Sequence, residues 1–350
     1  MIVNLSEREF RKLTELFNID ESNKVFSEFL LDYFSYSKLV GKLTKSTLYD
    51  SIVNYFDISK ATLEYFKPFN LKDNIKELDI DTYLNNPYYK NINVADIEDG
   101  SYRFEMKTYV PYEGFLYKDI EINDKHYEIS SIGYFTKPYN YLTLSCDNAI
   151  WMLITPHEIN TMQEAIDNAK GNIVTFGLGL GYFAYMCSIK DNVDSVTIIE
   201  KDENIISLFK KHILPKFLNP NKIHIVLDDA ISYIKNNKFT YDFAFVDLWR
   251  DVNDGLPYYI LIKKLALKHK KTKFYYWIEK AMIAMIKRCL ITLIYENLNS
   301  TDIIYEYEED YYQQLINRLN ELLKDYKINS FKDVEKLLNE TNILKLILKI

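Results

Sequence analysis

Five apolar bursts of strand length, NIVTF, SVTIIE, KIHIVL, YDFAFVD and KFYYWIE, follow one another between residues 171 and 279, with helical stretches between them. No other feature of the chain restricts its fold so tightly. Alternation of strand and helix predicts a parallel sheet covered by helices on both faces. Sheets of this kind hold ligands outside the carboxyl ends of their strands. The first burst leads directly into Gly177-Leu178-Gly179-Leu180-Gly181 and then into a helix. Glycine suits such a place because the turn is tight and the backbone has to approach a ligand closely. The helix behind the loop directs free N–H groups towards that ligand.

The spacing of the loop separates cofactors. A dinucleotide-binding loop reads GxGxxG or GxGxxA and puts a small residue at position 182, where this chain has Tyr182. NAD-linked chemistry therefore ranks last. The GxGxG form resembles the first motif of S-adenosylmethionine-dependent methyltransferases. A glycine-rich turn without a ligand is the alternative for the loop taken alone, and the acidic residues behind it favour binding. Glu200 ends the second strand about twenty residues beyond the loop, where a carboxylate can accept hydrogen bonds from both hydroxyls of a ribose. Asp202, two residues on, could take the same part. The third strand is followed by Asp228-Asp229-Ala230. In the methyltransferase fold a carboxylate here meets the adenine amino group and the next backbone N–H meets a ring nitrogen, a pairing that Asp229-Ala230 matches. The fourth strand ends at Asp247, which faces the site from the same edge of the sheet.

The flanking regions have other textures. Residues 7–67 read as helices, with Phe10, Leu13, Leu16 and Phe17, and later Phe26, Phe29, Leu30, Tyr33 and Phe34, at helical spacing. Pro68 and the Asn-rich stretch to Gly100 read as a boundary of short irregular pieces. Within it, Asn86-Pro87-Tyr88-Tyr89 reads as a turn; it superficially resembles the Asn-Pro-Pro-Tyr loop of amino-methylating enzymes but lacks the second proline and precedes the glycine loop. The segments YRFEMKTYV, KDIEI, HYEIS and YLTLS alternate apolar with polar residues, predicting a small antiparallel sheet. Beyond Ser300 the chain reads as helix again, with Leu315, Leu319, Leu322 and Leu323 in one stripe. Four parts result: an N-terminal helical region (1–99), a small antiparallel β domain (100–155), the ligand-binding α/β domain (156–298) and a helical C-terminal extension (299–350).

Charge and cysteine usage exclude several classes. A formal net charge of −7 argues against a dominant nucleic-acid surface, which needs a concentrated positive field. Cys146, Cys187 and Cys289 lie far apart with no CxxC pair, giving neither a disulfide framework nor a zinc site, and no metal is expected. The pattern suits a reducing cytoplasm. The opening MIVNLSEREFRKL is unlike a secretory signal. The most apolar stretch, Ala281–Tyr295, is interrupted by Lys287 and Arg288 and is shorter than the ~20 residues that span a bilayer, so a buried helix is expected there and no membrane.

Over residues 100–280 the chain resembles the spermidine-synthase-like branch of class I, S-adenosylmethionine-dependent methyltransferase folds. The resemblance implies an α/β, Rossmann-like doubly wound sheet of the class I methyltransferase type behind a small β domain, with S-adenosylmethionine or a close relative as cofactor. It implies cofactor contacts from Gly177, Gly179, Gly181, Glu200, Asp229 and Ala230. The branch carries a Tyr-His-Glu segment bordering the substrate cleft about twenty residues before the glycine loop; His157-Glu158 stands at that distance, preceded by Pro156 rather than Tyr. A helix start with an acidic first turn is the alternative for these two residues. Two departures bear on function. Aminopropyl-transferring members read GGGDG in the loop, and their Asp holds the amine end of the substrate; here that position is Leu180. Their catalytic Asp-x-x-Asp-Pro appears as Asp247-Leu-Trp-Arg-Asp251, one residue late and without the proline.

The leading expectation is a methyltransferase acting on a small-molecule acceptor, with Asp247 and Asp251 as the catalytic carboxylates and His157, Glu158, Tyr182 and Trp249 around the substrate. Trp249 could instead pack the loop onto the sheet, and Tyr182 with Phe183 could belong to the core. Transfer of an aminopropyl or aminocarboxypropyl group, as in spermidine synthase, is the second expectation. A catalytically silent S-adenosylmethionine-binding interaction protein is the third. Relatives often dimerise, so the long helical termini suggest a homodimer. The C-terminal region lacks an obvious final strand hairpin, so the sheet is expected to end differently from the usual seven-stranded form.

Overall fold

The computed structural model describes residues 1–19, 54, 57, 59, 75–236, 240–299 and 310–350. From the N-terminus, β1 (Ile2–Val3) leads into α1, helical over residues 7–19. β2 (Ile75–Glu77) precedes two five-residue helices, α2 (Ile80–Leu84) and α3 (Pro87–Asn91). Next come β3 (Ile97–Asp99), β4 (Tyr102–Tyr109), β5 (Phe115–Leu116), β6 (Glu121–Ile122), β7 (Glu128–Ile129), β8 (Ile132–Tyr134), β9 (Tyr139–Cys146) and β10 (Ala149–Leu153). From there helix and strand alternate: α4 (Pro156–Asn168), β11 (Gly171–Phe176), α5 (Tyr182–Ser188), β12 (Val193–Glu200), α6 (Glu203–Leu208), β13 (Ile223–Leu227), α7 (Ala230–Asn236), β14 (Phe243–Val246), α8 (Val252–Ala266), β15 (Lys273–Tyr276) and α9 (Glu279–Asn299). The last elements are α10 (Asp310–Leu322), β16 (Lys327–Ile328), α11 (Phe331–Leu338) and α12 (Glu340–Ile347).

Each of the five bursts carries one strand of a single sheet, ordered β13-β12-β11-β14-β15 with every pair parallel. The chain builds outward from β11 in one direction, then crosses back to β14 on its other side. That order makes the fold Rossmann-like, with the switch point between β11 and β14. Ile173, Val174 and Phe176 of β11 and all of Phe243–Val246 are buried. Central parallel strands lie covered on both faces, which is why these segments read as continuous apolar runs instead of alternating ones. The glycine loop leaves the middle strand at the carboxyl edge, beside the switch point.

The 100–155 region is more divided than its alternation predicted. Its main piece is a four-stranded antiparallel sheet, β10-β9-β4-β3, whose edge strand β3 begins before residue 100. The remaining strands are two or three residues long and form a β6–β7 hairpin and a small β2-β8-β5 sheet in which β2 and β8 run parallel. Strands this short carry few ladder bonds, and their partners are chosen by packing rather than by their own pattern. The stretch before Gly100 is also more ordered than expected: Asp79 caps α2, and Asn86 with Pro87 starts α3.

Helix α1 buries Leu13, Leu16 and Ile19, whereas Phe26, Phe29, Leu30, Tyr33 and Phe34 lie outside the described residues. Leu315, Leu319 and Leu323 of the C-terminal stripe are buried and Leu322 is half-buried. The two ends meet where β1 pairs with β16. Helix α9 is the buried helix expected at residues 281–295, and among the described residues no helix is long and apolar enough to cross a membrane. The charges that interrupt it have a structural partner. Lys287, fully buried, and Arg288 both engage Glu128 of β7, Lys287 Nζ at 3.4 Å and Arg288 Nε at 2.8 Å. Lys287 also donates to the His126 carbonyl, so the β6–β7 hairpin is clamped onto α9.

Candidate functional site

The three glycines of the loop are all in the left-handed region, with φ of 98° at Gly177, 52° at Gly179 and 75° at Gly181. A Cβ at Gly177 would stand 1.9 Å from the Asp247 carbonyl oxygen, and one at Gly181 would stand 2.5 Å from the Phe209 ring. Those two glycines are required by the protein's own packing. Gly179 is different: a Cβ there meets nothing within 4 Å. Leu178 and Leu180 on either side are buried, so the loop turns its leucines inward and Gly179 outward. Among the described residues the N–H groups of Gly179 and Leu180 donate to no protein acceptor, whereas Gly177 N–H donates to the Ile199 carbonyl and Gly181 N–H to that of Leu178. A tight turn with an open glycine and two free donors leaves space and N–H groups that a ligand could use.

The strand-end carboxylates divide into two kinds. Glu200, half-buried, accepts at Oε2 from the Leu178 N–H at 3.1 Å and at Oε1 from the N–H groups of Lys201 and Asp202 at 2.8 and 2.9 Å. It therefore ties β12 to the glycine loop and keeps little accepting capacity beyond a lone pair on Oε2. Asp202 caps α6 through Asn204 N–H and Ile205 N–H. Asp229, exposed, accepts from the Ser232 N–H at 2.8 Å in the first turn of α7, which buried Ala230 opens. Asp251 caps α8 in a reciprocal box with Asp254. The Asp251 carboxylate, expected among the catalytic groups, is thus engaged with the backbone of α8.

Asp247 is of the second kind. Its backbone is held by a 2.9 Å bond from its N–H to the Phe176 carbonyl, yet among the described residues its side chain forms no hydrogen bond. Burial pushes its pKa well above the ordinary aspartate value, and the charge of nearby Glu158 pushes it further. Glu158 sits in the first turn of α4 with His157 Nδ1 3.8 Å from its Oε1. The His157 ring meets the edge of Trp277, whose indole donates to Thr161 at 2.8 Å. Thr161 in turn donates to the His157 carbonyl at 2.7 Å. The charge of His157 also reaches Asp119, whose pKa burial raises and whose carboxylate accepts the Lys280 N–H at the start of α9. Thus α4, β14 and the start of α9 converge on one point at the carboxyl edge.

The aromatic candidates lie elsewhere. Tyr182 is 2% exposed and its hydroxyl accepts from Asn86 Nδ2 at 2.8 Å, so it is a core residue facing α3, not a pocket wall. Phe183 stacks on Phe245 at 4.2 Å within the sheet core. Trp249 is buried against Gly255, and its indole N–H has no acceptor among the described residues. The loop-packing reading of Trp249 is the one its burial matches. Leu180 is buried as well, so its position presents hydrocarbon to the core instead of a carboxylate to a substrate.

One support of the loop escaped sequence reasoning. The Tyr88 hydroxyl donates to the Leu180 carbonyl at 2.6 Å, and Asn86 holds Tyr182, so α3 braces the glycine loop from below. The Asn86-Pro87 pair signals a helix start; nothing local signals that this helix reaches a loop more than ninety positions away.

No family model matches this chain, and no curated protein sequence does. Solved structures similar to it include a spermidine synthase from Thermotoga maritima, at 14% identity over 38% of this chain and 49% of that one with a TM-score of 0.27. Another is a conserved hypothetical protein from Streptococcus pyogenes, at 14% identity over 30% and 62% with a TM-score of 0.23. A third is a precorrin-8W decarboxylase from Methanobacterium thermoautotrophicum, at 14% identity over 33% and 58% with a TM-score of 0.26. The chain spans about half the length of the first of these. Its assignment as a Rossmann-like α/β protein rests on its own strand order and glycine loop.

Proposed function

We propose that the chain is an S-adenosylmethionine-dependent methyltransferase for a small-molecule acceptor. The observation that carries this reading is the open Gly179 flanked by two glycines that packing demands, with free N–H groups beside it. Gly177–Gly181 would seat the cofactor, the remaining lone pair of Glu200 would accept from the ribose, and Asp229 with Ala230 would border the adenine. The cofactor supplies an already activated methyl group, so the protein's task is alignment and proton management. Asp247 and Glu158 perform the second task. Burial and the charge of Glu158 hold the Asp247 carboxyl above the ordinary aspartate range, which suits it to take a proton from an amine or hydroxyl nucleophile. His157 lies next to the pair and can relay that proton outward.

Calorimetry with S-adenosylhomocysteine tests the cradle. Binding is expected in the wild type and its loss in Gly179→Val; absence of heat in the wild type would end the reading. Methyl-labelled cofactor offered to lysate metabolites then identifies the acceptor, and Asp247→Asn is expected to slow the transfer by about 10²–10⁴-fold.

Transfer of an aminopropyl or aminocarboxypropyl group is the second reading, favoured by the Asp247–Glu158 pair, whose negative charge suits a cationic amine. Tighter binding of decarboxylated S-adenosylmethionine than of the carboxylated form would establish aminopropyl transfer, and product mass separates the aminocarboxypropyl case.

A further inference from the structure

A recess with a different chemistry lies on the far side of the Tyr88 brace. It is a cavity of about 220 Å³, and no residue of Gly177–Gly181 and none of the strand-end carboxylates lines it. Its walls are apolar: Met106 from β4, Leu142 from β9, and Ile154 and Ile159 around the start of α4. The Tyr88 and Tyr89 rings add aromatic faces, and Tyr89 is held in place by stacking on buried Tyr139 at 5.7 Å. Sites for drug-sized ligands begin near ~300 Å³, so this recess suits a metabolite of about ten non-hydrogen atoms.

Its charge is of one sign. No Asp or Glu lines it, whereas Lys90 and Asn93 do, and the third polar residue, Asn86, is already engaged with the Tyr182 hydroxyl and the Tyr88 N–H. Neither the Lys90 nor the Asn93 side chain has a hydrogen bond or ion pair with a described residue, and both stand exposed at the mouth. An ammonium and an amide above an apolar cup provide donors for a carboxylate, with hydrocarbon below for its body. A cationic ligand would find tyrosine faces and amide oxygens here but no carboxylate to offset the repulsion of Lys90. The charge of the recess is therefore opposite in sign to that of Asp247 and Glu158.

We propose that this recess is a binding site for a small apolar carboxylate, a ring or branched chain of about ten non-hydrogen atoms whose acid end is held by Lys90 and Asn93. The site stands apart from the methyl-transfer reading and does not require it. Tyr88 belongs to both regions, since its ring lines the recess while its hydroxyl holds the Leu180 carbonyl of the glycine loop.

Ligand-observed NMR on the full chain tests the assignment with three probes of one shape: 3-phenylpropanoate, its uncharged amide and 3-phenylpropylamine. The acid is expected to bind about tenfold more tightly than the amide, and the amine more weakly still. Lys90→Gln should bring acid and amide together, Lys90→Arg should keep the preference, and Met106→Trp, which fills the cup from its exposed rim, should weaken the acid about tenfold or more. Lys90 is exposed, so its variants fold even where Met106→Trp does not. Failure of the acid to bind at millimolar concentration, equal affinity for acid and amine, or indifference to Lys90→Gln overturns the proposal. So does displacement of the acid by an equal concentration of S-adenosylhomocysteine, which would move it to the glycine loop. Binding of the acid with no binding of S-adenosylhomocysteine upholds this site and removes the methyl-transfer reading instead.

Discussion

The β12–β13 side of the carboxyl edge and its β14–α4 side carry the same residue type in opposite circumstances. On the first side Glu200, Asp202 and Asp229 are engaged by backbone N–H groups of the turns they open and, for Glu200, of the glycine loop as well. On the second, Asp247 is half-buried, with no hydrogen bond among the described residues and the charge of Glu158 nearby. An acid with satisfied lone pairs shapes the backbone, and its energy is already committed to the fold. An acid kept unsatisfied is raised in energy in the free protein and relieved when a proton or ligand arrives. The contrast separates the acids committed to the backbone of this edge from the one whose carboxyl has no hydrogen bond among the described residues.

Substitutions at paired and unpaired acids sharpen or break that contrast. Glu128 extends the paired class into the interior, and Glu128→Ala leaves the buried Lys287 without its counter-charge; denaturant titration should show a loss of about 3–5 kcal/mol. Glu200→Gln exchanges a charged acceptor of three N–H groups for an amide and should lose about 1–3 kcal/mol, with hydrogen exchange rising at Leu178. Asp251→Ala removes a cap and should lose about 1 kcal/mol. A loss of turnover from Asp251→Ala larger than its loss of folded protein would place that residue back among the catalytic ones.

Asp247→Asn should have the smallest effect on stability and the opposite sign. The native protein holds the Asp247 proton above the ordinary value of 3.8, so the folded state binds more protons than the unfolded one between 3.8 and its own higher pKa. Stability from this group is therefore present at acid pH and is lost as pH rises through the native pKa. The Asn variant escapes that loss. Its melting temperature should exceed that of the wild type at neutral pH, and the gap should close as pH falls towards 3.8. A gap that widens on acidification would mean that Asp247 is stabilised as a carboxylate and belongs with the paired class.

Much of the fold was legible from periodicity. The five bursts became the five strands, and the glycine loop leaves the strand predicted for it, because central parallel strands need long apolar segments and their turns need glycine. The small strands between Phe115 and Tyr134 were less legible, since two or three residues carry too little pattern to name a partner. The site was read unevenly. Glu200 and Asp247 were found by their position at strand ends, but position does not say whether a carboxylate is free, and Asp251 proved to be a cap. Its place after the loop leaves Tyr182 open to either the pocket or the core; helical rotation turns it into the core against Asn86.

From the sequence alone came the parallel α/β core, the glycine loop at its carboxyl edge and the row of acids along that edge, since these follow from local periodicity and from the few residues that tolerate a left-handed turn. Only the tertiary structure decided which acids are spent on backbone N–H groups, that α3 braces the loop from far away in the chain, and that an apolar recess with a cationic mouth lies behind that brace. Desolvation and hydrogen-bond satisfaction depend on neighbours gathered from distant segments, and no local pattern encodes who those neighbours are.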